Sequence, residues 1–142
     1  AKQLFGVNNS VIPNELKVGT YVMNQEELIK LANSNEYFIP KSNKFNEIEE
    51  GDTSRKSFKR LHRDKYSPTV AYGNNEVHLH PVLPRRLSVR EALRLQTVPD
   101  SYVVADDVTL STKFKVIGNG VPVKLSRAIA KSMKELLTKT NK

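Results

Sequence analysis

Residues 85–96 of this chain read RRLSVREALRLQ, and they decide how its C-terminal part folds. Ser88 and Glu91 stand at the spacing of a capping box, in which each side chain bonds the other residue's backbone amide. A helix is therefore predicted to begin at Val89. Because proline does not fit a helix interior, Pro99 limits that helix to residues 89–97.

A second helix is predicted after the glycine-rich turn IGNGVP at residues 117–122. Gly118 and Gly120 are expected to break the chain, and Pro122 suits a first helical turn. The apolar residues beyond the turn recur at helical spacing, with Lys and Arg on the other faces: Leu125, Ile129, Met133 and Leu136. We expect an amphipathic helix of about four turns, and we interpret its apolar stripe as an interface rather than internal core.

The first part of the chain is predicted to hold short elements. Residues 20–23 favour a strand because they are apolar and aromatic. Residues 25–32 favour a short helix that begins with acidic residues and has Asn24 as its N-cap. Residues 34–55 are polar and rich in turn formers, so they are predicted to be irregular.

A β-hairpin is predicted from residues 67–72 and 76–80, with a turn at residues 73–75. His78 and His80 alternate along its second strand as two possible metal ligands. A metal site usually needs three or four ligands, and no third one is evident, so no metal is predicted.

Positive charge is the strongest compositional signal. The 142 residues carry 23 Lys and Arg against 15 Asp and Glu, a formal charge of +8, which favours an anionic partner, with nucleic acid first. Residues 55–65 hold six of these cations. Phe58 and Leu61 lie among them, which indicates a packed strand or helix rather than a tail. For Arg85 and Arg86, a solvated pair and a phosphate clamp remain equal alternatives.

The composition also excludes several classes of function. The chain has no cysteine, so it has no disulfide, no thiolate metal site and no cysteine nucleophile. No apolar run is long enough to span a membrane, and no signal peptide opens the sequence. The length suits one domain or slightly more, and Ala1 in place of Met favours a fragment of a longer chain.

Several motifs stand in one order along the chain. Pro-Thr-Val lies at residues 68–70 and His-Pro at 80–81, Arg-Glu-Ala, Leu-Gln and Pro-Asp-Ser-Tyr follow within residues 90–102, and Ile-Gly-Asn-Gly-Val-Pro comes last. This series resembles the C-terminal half of cytosine-5 DNA methyltransferases, whose motifs nine and ten close the chain. The resemblance covers residues 58–137, and residues 1–57 only by position.

The resemblance implies an α+β fold and a division of labour. Residues 1–84 would form a small target-recognition domain of short strands and loops. Residues 85–112 would hold the motif-nine helix and a connection. Residues 113–142 would hold the motif-ten turn and a C-terminal helix that packs on an absent Rossmann-like catalytic domain.

The resemblance also implies two sets of site residues. Such an enzyme flips its target cytosine out of double-stranded DNA, so one part of it must grip the duplex. We expect phosphate contacts from the basic segment and the arginine pair, and the family comparison places a threonine near a phosphate beside the target base; these residues are Arg60, Arg63, Lys65, Arg85, Arg86 and Thr69. The residues expected to approach S-adenosylmethionine are Asn119, Gly120 and Val121, because glycine permits close approach and a helix N-terminus offers amides to a carboxylate.

The catalytic residues of the family are absent. The glycine-rich strand-turn that holds S-adenosylmethionine, the Pro-Cys nucleophile and the Glu-Asn-Val motif do not occur in this sequence. We therefore expect no catalytic residue in this chain and no activity from it alone. The chain is either the small subunit of a split enzyme with a catalytic large subunit, or the C-terminal portion of an enzyme whose N-terminal domain is missing.

Two other interpretations remain open. The chain is alternatively a catalytically inactive DNA-binding or regulatory module. An unrelated basic RNA-associated domain explains the charge but not the order of the motifs. In each case we expect a cytoplasmic protein, and the family resemblance favours a bacterial one.

Overall fold

Short helices and a two-stranded sheet make up the part of the chain that this computed structural model describes: residues 12–55, 57–69, 72 and 77–140. The helices are α1 (Val18–Val22), α2 (Gln25–Leu28), α3 (Val89–Leu95), α4 (Leu110–Asn119) and α5 (Val123–Thr140), and the strands are β1 (Phe58–Arg60) and β2 (Val77–Leu79). Two 3-10 turns lie at Asn14–Leu16 and Asn43–Asn46. The chain is thus a small α+β structure, as predicted.

The two strands pair in parallel, with Phe58 opposite Val77 and Arg60 opposite Leu79. The predicted hairpin is therefore wrong: the partner of β2 is β1, and residues 67–69 are not strand. The predicted turn at 73–75 lies outside the described residues. Parallel pairing requires a long connection between the strands, and the chain between β1 and β2 supplies it.

Helix α1 replaces the strand predicted at residues 20–23. Val18 and Val22, four residues apart, are both buried in a cluster with Leu61 and Leu87. In a helix, residues four apart lie on the same face. In a strand, Val18 and Val22 would share their face with Thr20, which lies between them. The distant partners therefore decide the conformation.

Helix α2 confirms the predicted cap but not the predicted length. The Asn24 side chain accepts a hydrogen bond from the Glu27 amide at 3.3 Å. The helix ends at Leu28 rather than at residue 32. Downstream, Asn33 has a φ of 62°, a left-handed conformation that no helix can continue through.

Helix α3 begins as predicted. The Ser88 hydroxyl accepts from the Glu91 amide at 3.3 Å, and the Glu91 carboxylate accepts from the Ser88 amide at 2.7 Å. The helix buries Val89, Ala92 and Leu93 against residues of α4. Both halves of the capping box are thus present, and α3 lies against the largest apolar cluster.

Helix α4 is an element that the sequence did not predict. The Thr109 side chain caps it by accepting from the Thr112 amide, and Phe114 and Ile117 are buried against α3. The helix runs across the domain boundary predicted at 112/113. It also continues through Gly118, where a break was predicted, and ends at Gly120.

Gly118 lies inside α4, where its lack of a side chain permits close packing instead of breaking the helix. A Cβ atom at this position would lie 2.8 Å from the backbone nitrogen of Tyr72. The Tyr72 ring packs edge-on against Phe114, one helical turn away. The absence of a side chain at Gly118 therefore brings the backbone around Tyr72 against α4.

Helix α5 is confirmed as a long amphipathic helix. Side chains from residue 123 to residue 139 are exposed, including Leu125 (50%), Ile129 (51%) and Met133 (58%) of the apolar stripe. The stripe is therefore not internal core of the described residues. No helix in that part of the chain is long and apolar enough to cross a membrane.

The contact at Gly118 leads to a first prediction. Gly118→Ala would lower the free energy of unfolding by about 1–3 kcal/mol because the new Cβ overlaps the Tyr72 backbone. Without that contact, alanine would stabilise a helix interior by about 1 kcal/mol. Urea denaturation measures the change. Gly120→Ala is the matched control: its Cβ would meet the Ile117 carbonyl oxygen at 3.2 Å, so a smaller loss is expected. Stabilisation by Gly118→Ala would contradict the prediction.

Candidate functional site

Gln96, directly after α3, holds the end of α4. Its side chain is buried, and its Nε2 atom donates to the Ile117 carbonyl at 2.9 Å and to the Gly120 carbonyl at 3.2 Å. The last carbonyls of a helix have no partner within the helix. The Ile117 carbonyl also accepts from the Gly120 amide at 3.1 Å, so Gln96 adds a second bond there, bonds the Gly120 carbonyl after the helix, and fixes the chain between residues 117 and 120.

The first turn of α5 is held by the same short segment. The Val123 amide donates to the Gln96 carbonyl at 3.1 Å. The Lys124 amide donates to the Thr97 hydroxyl oxygen at 2.9 Å. These two amides at the N-terminus of α5 are therefore bonded within the chain and are not open to a ligand carboxylate, while the cofactor role of Asn119, Gly120 and Val121 stays a prediction.

The three residues predicted to bind the cofactor lie together at the surface. Asn119 is the last residue of α4, Gly120 and Val121 lie in the connection to α5, and all three residues are exposed. A Cβ at Gly120 would meet only the backbone oxygens of Ile117 and Val116, so its outer side is open. The turn thus presents its backbone to solvent while Gln96 holds it from inside.

Arg60 is buried, in contrast to its predicted place at the DNA. Its side chain donates to four carbonyl groups, and the residue is 4% exposed. The Nε–Ile48 oxygen distance is 2.6 Å, the Nη1 distances to His80 and Leu83 oxygens are 2.7 and 3.0 Å, and Nη2 donates to the Phe45 oxygen. These partners use four of its five N–H donors, and the side chain is buried, so the described fold gives Arg60 a structural role in place of the predicted phosphate contact.

Arg85 and Arg86 also have partners inside the protein. Arg85 donates to both oxygens of Glu91, each at 2.8 Å. Arg86 lies over the Phe38 ring at 4.9 Å, and burial lowers the pKa of its guanidinium. Their contact with DNA stays a prediction, but both guanidinium groups are already engaged.

The remaining predicted DNA contacts share one exposed segment. Arg63, Lys65 and Thr69 are exposed. The backbone of this segment is anchored, because its carbonyls at Arg63 and Lys65 accept hydrogen bonds from the Gly19 and Val18 amides of α1 at 2.8 and 3.0 Å. Two of the six predicted residues, Arg63 and Lys65, therefore stand exposed on a fixed backbone, and Thr69 is exposed further along the same segment.

Glu50 is the acidic neighbour of this segment. Arg63 donates to its two carboxylate oxygens, with the shortest distance 2.8 Å. That hydrogen bonding, together with the Arg63 charge, outweighs partial burial and lowers the pKa of Glu50 to about 2. Part of the positive charge of Arg63 is thus neutralised, which leaves Lys65 as the unshared cation among these three side chains.

The histidines of β2 and its exit are structural in the described fold. The Nδ1 atom of His80 accepts from the Val82 and Leu83 amides at 3.1 and 2.9 Å, and burial lowers the pKa of the ring. His78 packs edge-on against Tyr72. Among residues 12–55, 57–69, 72 and 77–140, no group of three His, Cys, Asp or Glu side chains is arranged to hold a metal.

Gln96 and Thr97 are the site residues that sequence reasoning missed. The partners that tie Gln96 and Thr97 to the turn and to α5 lie more than twenty residues away, at Ile117, Gly120, Val123 and Lys124. The signal available in the sequence was the Leu-Gln pair at residues 95–96, which was noted only as part of a motif.

Comparison with known proteins agrees with the motif order. Residues 6–135 match the family described as C-5 cytosine-specific DNA methylase. Type II methyltransferase M.NmeDI of Neisseria meningitidis serogroup C is 49% identical over 119 residues, which cover 82% of this chain and 28% of that protein. Type II methylase M.HgiDII of Herpetosiphon aurantiacus is 36% identical over 146 residues, 96% of this chain and 37% of that protein.

A third relative is much shorter. Type II methyltransferase M.AquIB of Picosynechococcus sp. is 36% identical over 99 residues, which cover 63% of this chain and 70% of that protein. The chain belongs to the C-5 cytosine-specific DNA methylase family, which confirms the resemblance. It spans well under half the length of M.NmeDI and M.HgiDII.

The Glu50–Arg63 pair gives a prediction on pH. Because the folded pKa of Glu50 is about 2, below its usual 4.5, the pair contributes stability above pH 4.5 that is lost as the pH falls toward 2. Glu50→Gln removes this contribution. The difference in unfolding free energy between wild type and Glu50→Gln, measured by denaturation from about pH 6 downward, should shrink steadily through that range. A difference that does not change with pH would contradict this assignment.

Proposed function

We propose that this chain supplies DNA recognition and completes the cofactor site for a DNA (cytosine-5)-methyltransferase. The enzyme transfers a methyl group from S-adenosylmethionine to a flipped-out cytosine. The observation that carries the proposal is the exposed turn at residues 119–121, which stands beside a helix whose apolar stripe the described chain does not bury. Both features fit a surface that is completed by another part of the enzyme.

The chain contains no nucleophile for this reaction. Methylation at the 5-carbon requires a cysteine to add to the 6-position of the ring, and none of the 142 residues is cysteine. Under the proposal, a catalytic large subunit or an N-terminal domain provides that cysteine and most of the donor pocket. The chain alone is inactive.

The length of one relative supports a separate small subunit. The 99 matched residues make up 70% of M.AquIB, so that protein is about as long as this chain. A methyltransferase chain of this size thus exists as a named protein. The apolar stripe of α5, at Leu125, Ile129 and Met133, is the surface proposed to pack on the catalytic part.

DNA contact is assigned to the exposed basic segment. Arg63 and Lys65 face solvent from an anchored backbone, and Thr69 is exposed four residues further on, which suits side chains that position a duplex by its phosphates. Arg85 and Arg86 are secondary candidates because Glu91 and the aromatic rings already engage them. Arg60 is not included.

The cofactor contact is assigned to Asn119, Gly120 and Val121. S-adenosylmethionine supplies the methyl group when it is bound. The open outer side of Gly120 allows a ligand to approach the backbone, and the exposed Asn119 carries an amide side chain that can bond a polar group of the ligand. The turn complements a pocket whose larger part lies outside this chain.

The proposed function predicts a separation of two activities. With the catalytic part added, the chain should restore methylation of double-stranded DNA, measured with radiolabelled S-adenosylmethionine. Asn119→Ala should leave DNA affinity unchanged and remove most of the methylation. Methylation by the isolated chain would refute the division of labour, whereas DNA binding without methylation in any mixture would favour the regulatory module.

The DNA assignment predicts a change in salt dependence. Lys65→Ala should weaken binding to all duplex sequences and reduce the slope of log affinity against log salt by about one. Fluorescence anisotropy over a salt series measures this slope. The matched control is Lys139→Ala, an exposed lysine at the far end of α5. Equal effects of the two substitutions would show a diffuse charge effect and remove the basis for this site.

A further inference from the structure

Thr97 has an unusual backbone conformation. Its φ is 56°, in the left-handed region. That region is unfavourable for a β-branched residue, and such outliers persist where the surrounding structure requires them. Glycine or asparagine would adopt this conformation with less strain, so the threonine side chain must contribute something that offsets it.

The contribution of Thr97 is visible in its hydrogen bond. The hydroxyl oxygen accepts from the Lys124 amide at 2.9 Å and thereby caps α5. The Thr97 amide itself donates to the Arg94 carbonyl at 2.8 Å, which ties the residue to the end of α3. The strained residue therefore joins the last turn of one helix to the first turn of another.

Among residues 12–55, 57–69, 72 and 77–140, few other contacts determine the direction of α5. Its side chains from residue 123 to residue 139 are exposed. The contacts at its beginning are the Val123 amide on the Gln96 carbonyl, the Lys124 amide on Thr97, and the Lys124 ammonium group 5.8 Å from the Tyr21 ring centre. The orientation of the helix thus depends on Gln96 and Thr97.

The same two residues enclose the exposed turn from both sides. Gln96 bonds the carbonyls of Ile117 and Gly120, before and after Asn119. Thr97 and the Gln96 carbonyl hold the amides that follow Val121. Every residue assigned to the cofactor lies between these anchor points.

We propose that Gln96 and Thr97 are positioning residues for the methyl-donor site. They transmit the position of α3, the motif-nine helix, to the turn at residues 119–121. This inference rests on the proposed function. Neither side chain needs to touch S-adenosylmethionine, because each acts by restricting the backbone that does.

The test compares substitutions that remove each anchor while keeping the side-chain shape. Thr97→Val removes the hydroxyl and keeps the branched carbon, and Gln96→Met removes the amide donors at similar length. In the complete enzyme, the dissociation constant and KM for S-adenosylmethionine should rise about 5-fold for Thr97→Val, the effect of one lost helix cap. They should rise on the order of 30-fold for Gln96→Met, which loses two hydrogen bonds. DNA affinity and kcat should change little.

Two rescue variants test the role of the side-chain acceptor. Thr97→Ser retains the hydroxyl and should restore the wild-type constants for S-adenosylmethionine. Thr97→Asn carries an oxygen acceptor and tolerates the left-handed conformation, so it should restore them too and should not lower stability. Amide hydrogen exchange of Lys124 in this chain gives an independent reading: exchange should accelerate in Thr97→Val and return to the wild-type rate in Thr97→Ser.

The matched control is Thr109→Val. Thr109 is also a threonine that caps a helix, at the opposite end of α4 from the turn. Thr109→Val should lower the free energy of unfolding about as much as Thr97→Val does, without a change in KM for S-adenosylmethionine. The inference is overturned if Thr109→Val raises KM as much as Thr97→Val does, or if Thr97→Val and Gln96→Met bind S-adenosylmethionine like wild type. If the wild-type complete enzyme bound none, the proposed function itself would fail, and the inference with it.

Discussion

The buried carboxylate of Glu91 is the constraint on which the centre of the structure depends. It is 1% exposed and accepts hydrogen bonds from Ser88, from both terminal nitrogens of Arg85 and from Gln25. Burial by itself raises the pKa of Glu91, but the Arg85 hydrogen bonds and charge, with the Gln25 and Ser88 bonds, outweigh it and lower the pKa. The carboxylate therefore stays ionised. Because a buried charge without partners costs several kcal/mol, the loop before α3 and the start of α2 must meet at this point.

This constraint changes the meaning of the net positive charge. The formal charge of +8 favoured an anionic partner, with nucleic acid first. The fold instead uses Arg60 to bond carbonyl groups and Arg85 to neutralise Glu91. Lys65 is exposed and has no acidic partner among the described residues, and such side chains are the ones proposed to contact DNA. Counting charges in a sequence does not distinguish these two uses.

Three local signals, whose partners lie within one helical turn or along one helix face, were read correctly, whereas the equally local Thr109 cap of α4 was missed. The Ser88–Glu91 capping box, the Asn24 cap and the amphipathic stripe of α5 are all present. Errors arose where distant contacts decide the outcome. Residues 20–23 were predicted as a strand, but Val18 and Val22 share one buried face of α1. Gly118 was predicted to break the helix, but it lies inside α4, where the Tyr72 backbone packs against it.

The sequence by itself determined the family, because ordered motifs survive in the linear chain without any knowledge of contacts. It also determined that no cysteine nucleophile lies in these 142 residues. Only the tertiary structure decided that Gln96 and Thr97 hold the turn at residues 119–121 and the start of α5. The physical reason is that their hydrogen bonds join groups more than twenty residues apart. Such bonds depend on how α3 and α4 pack, and no local periodicity records that packing.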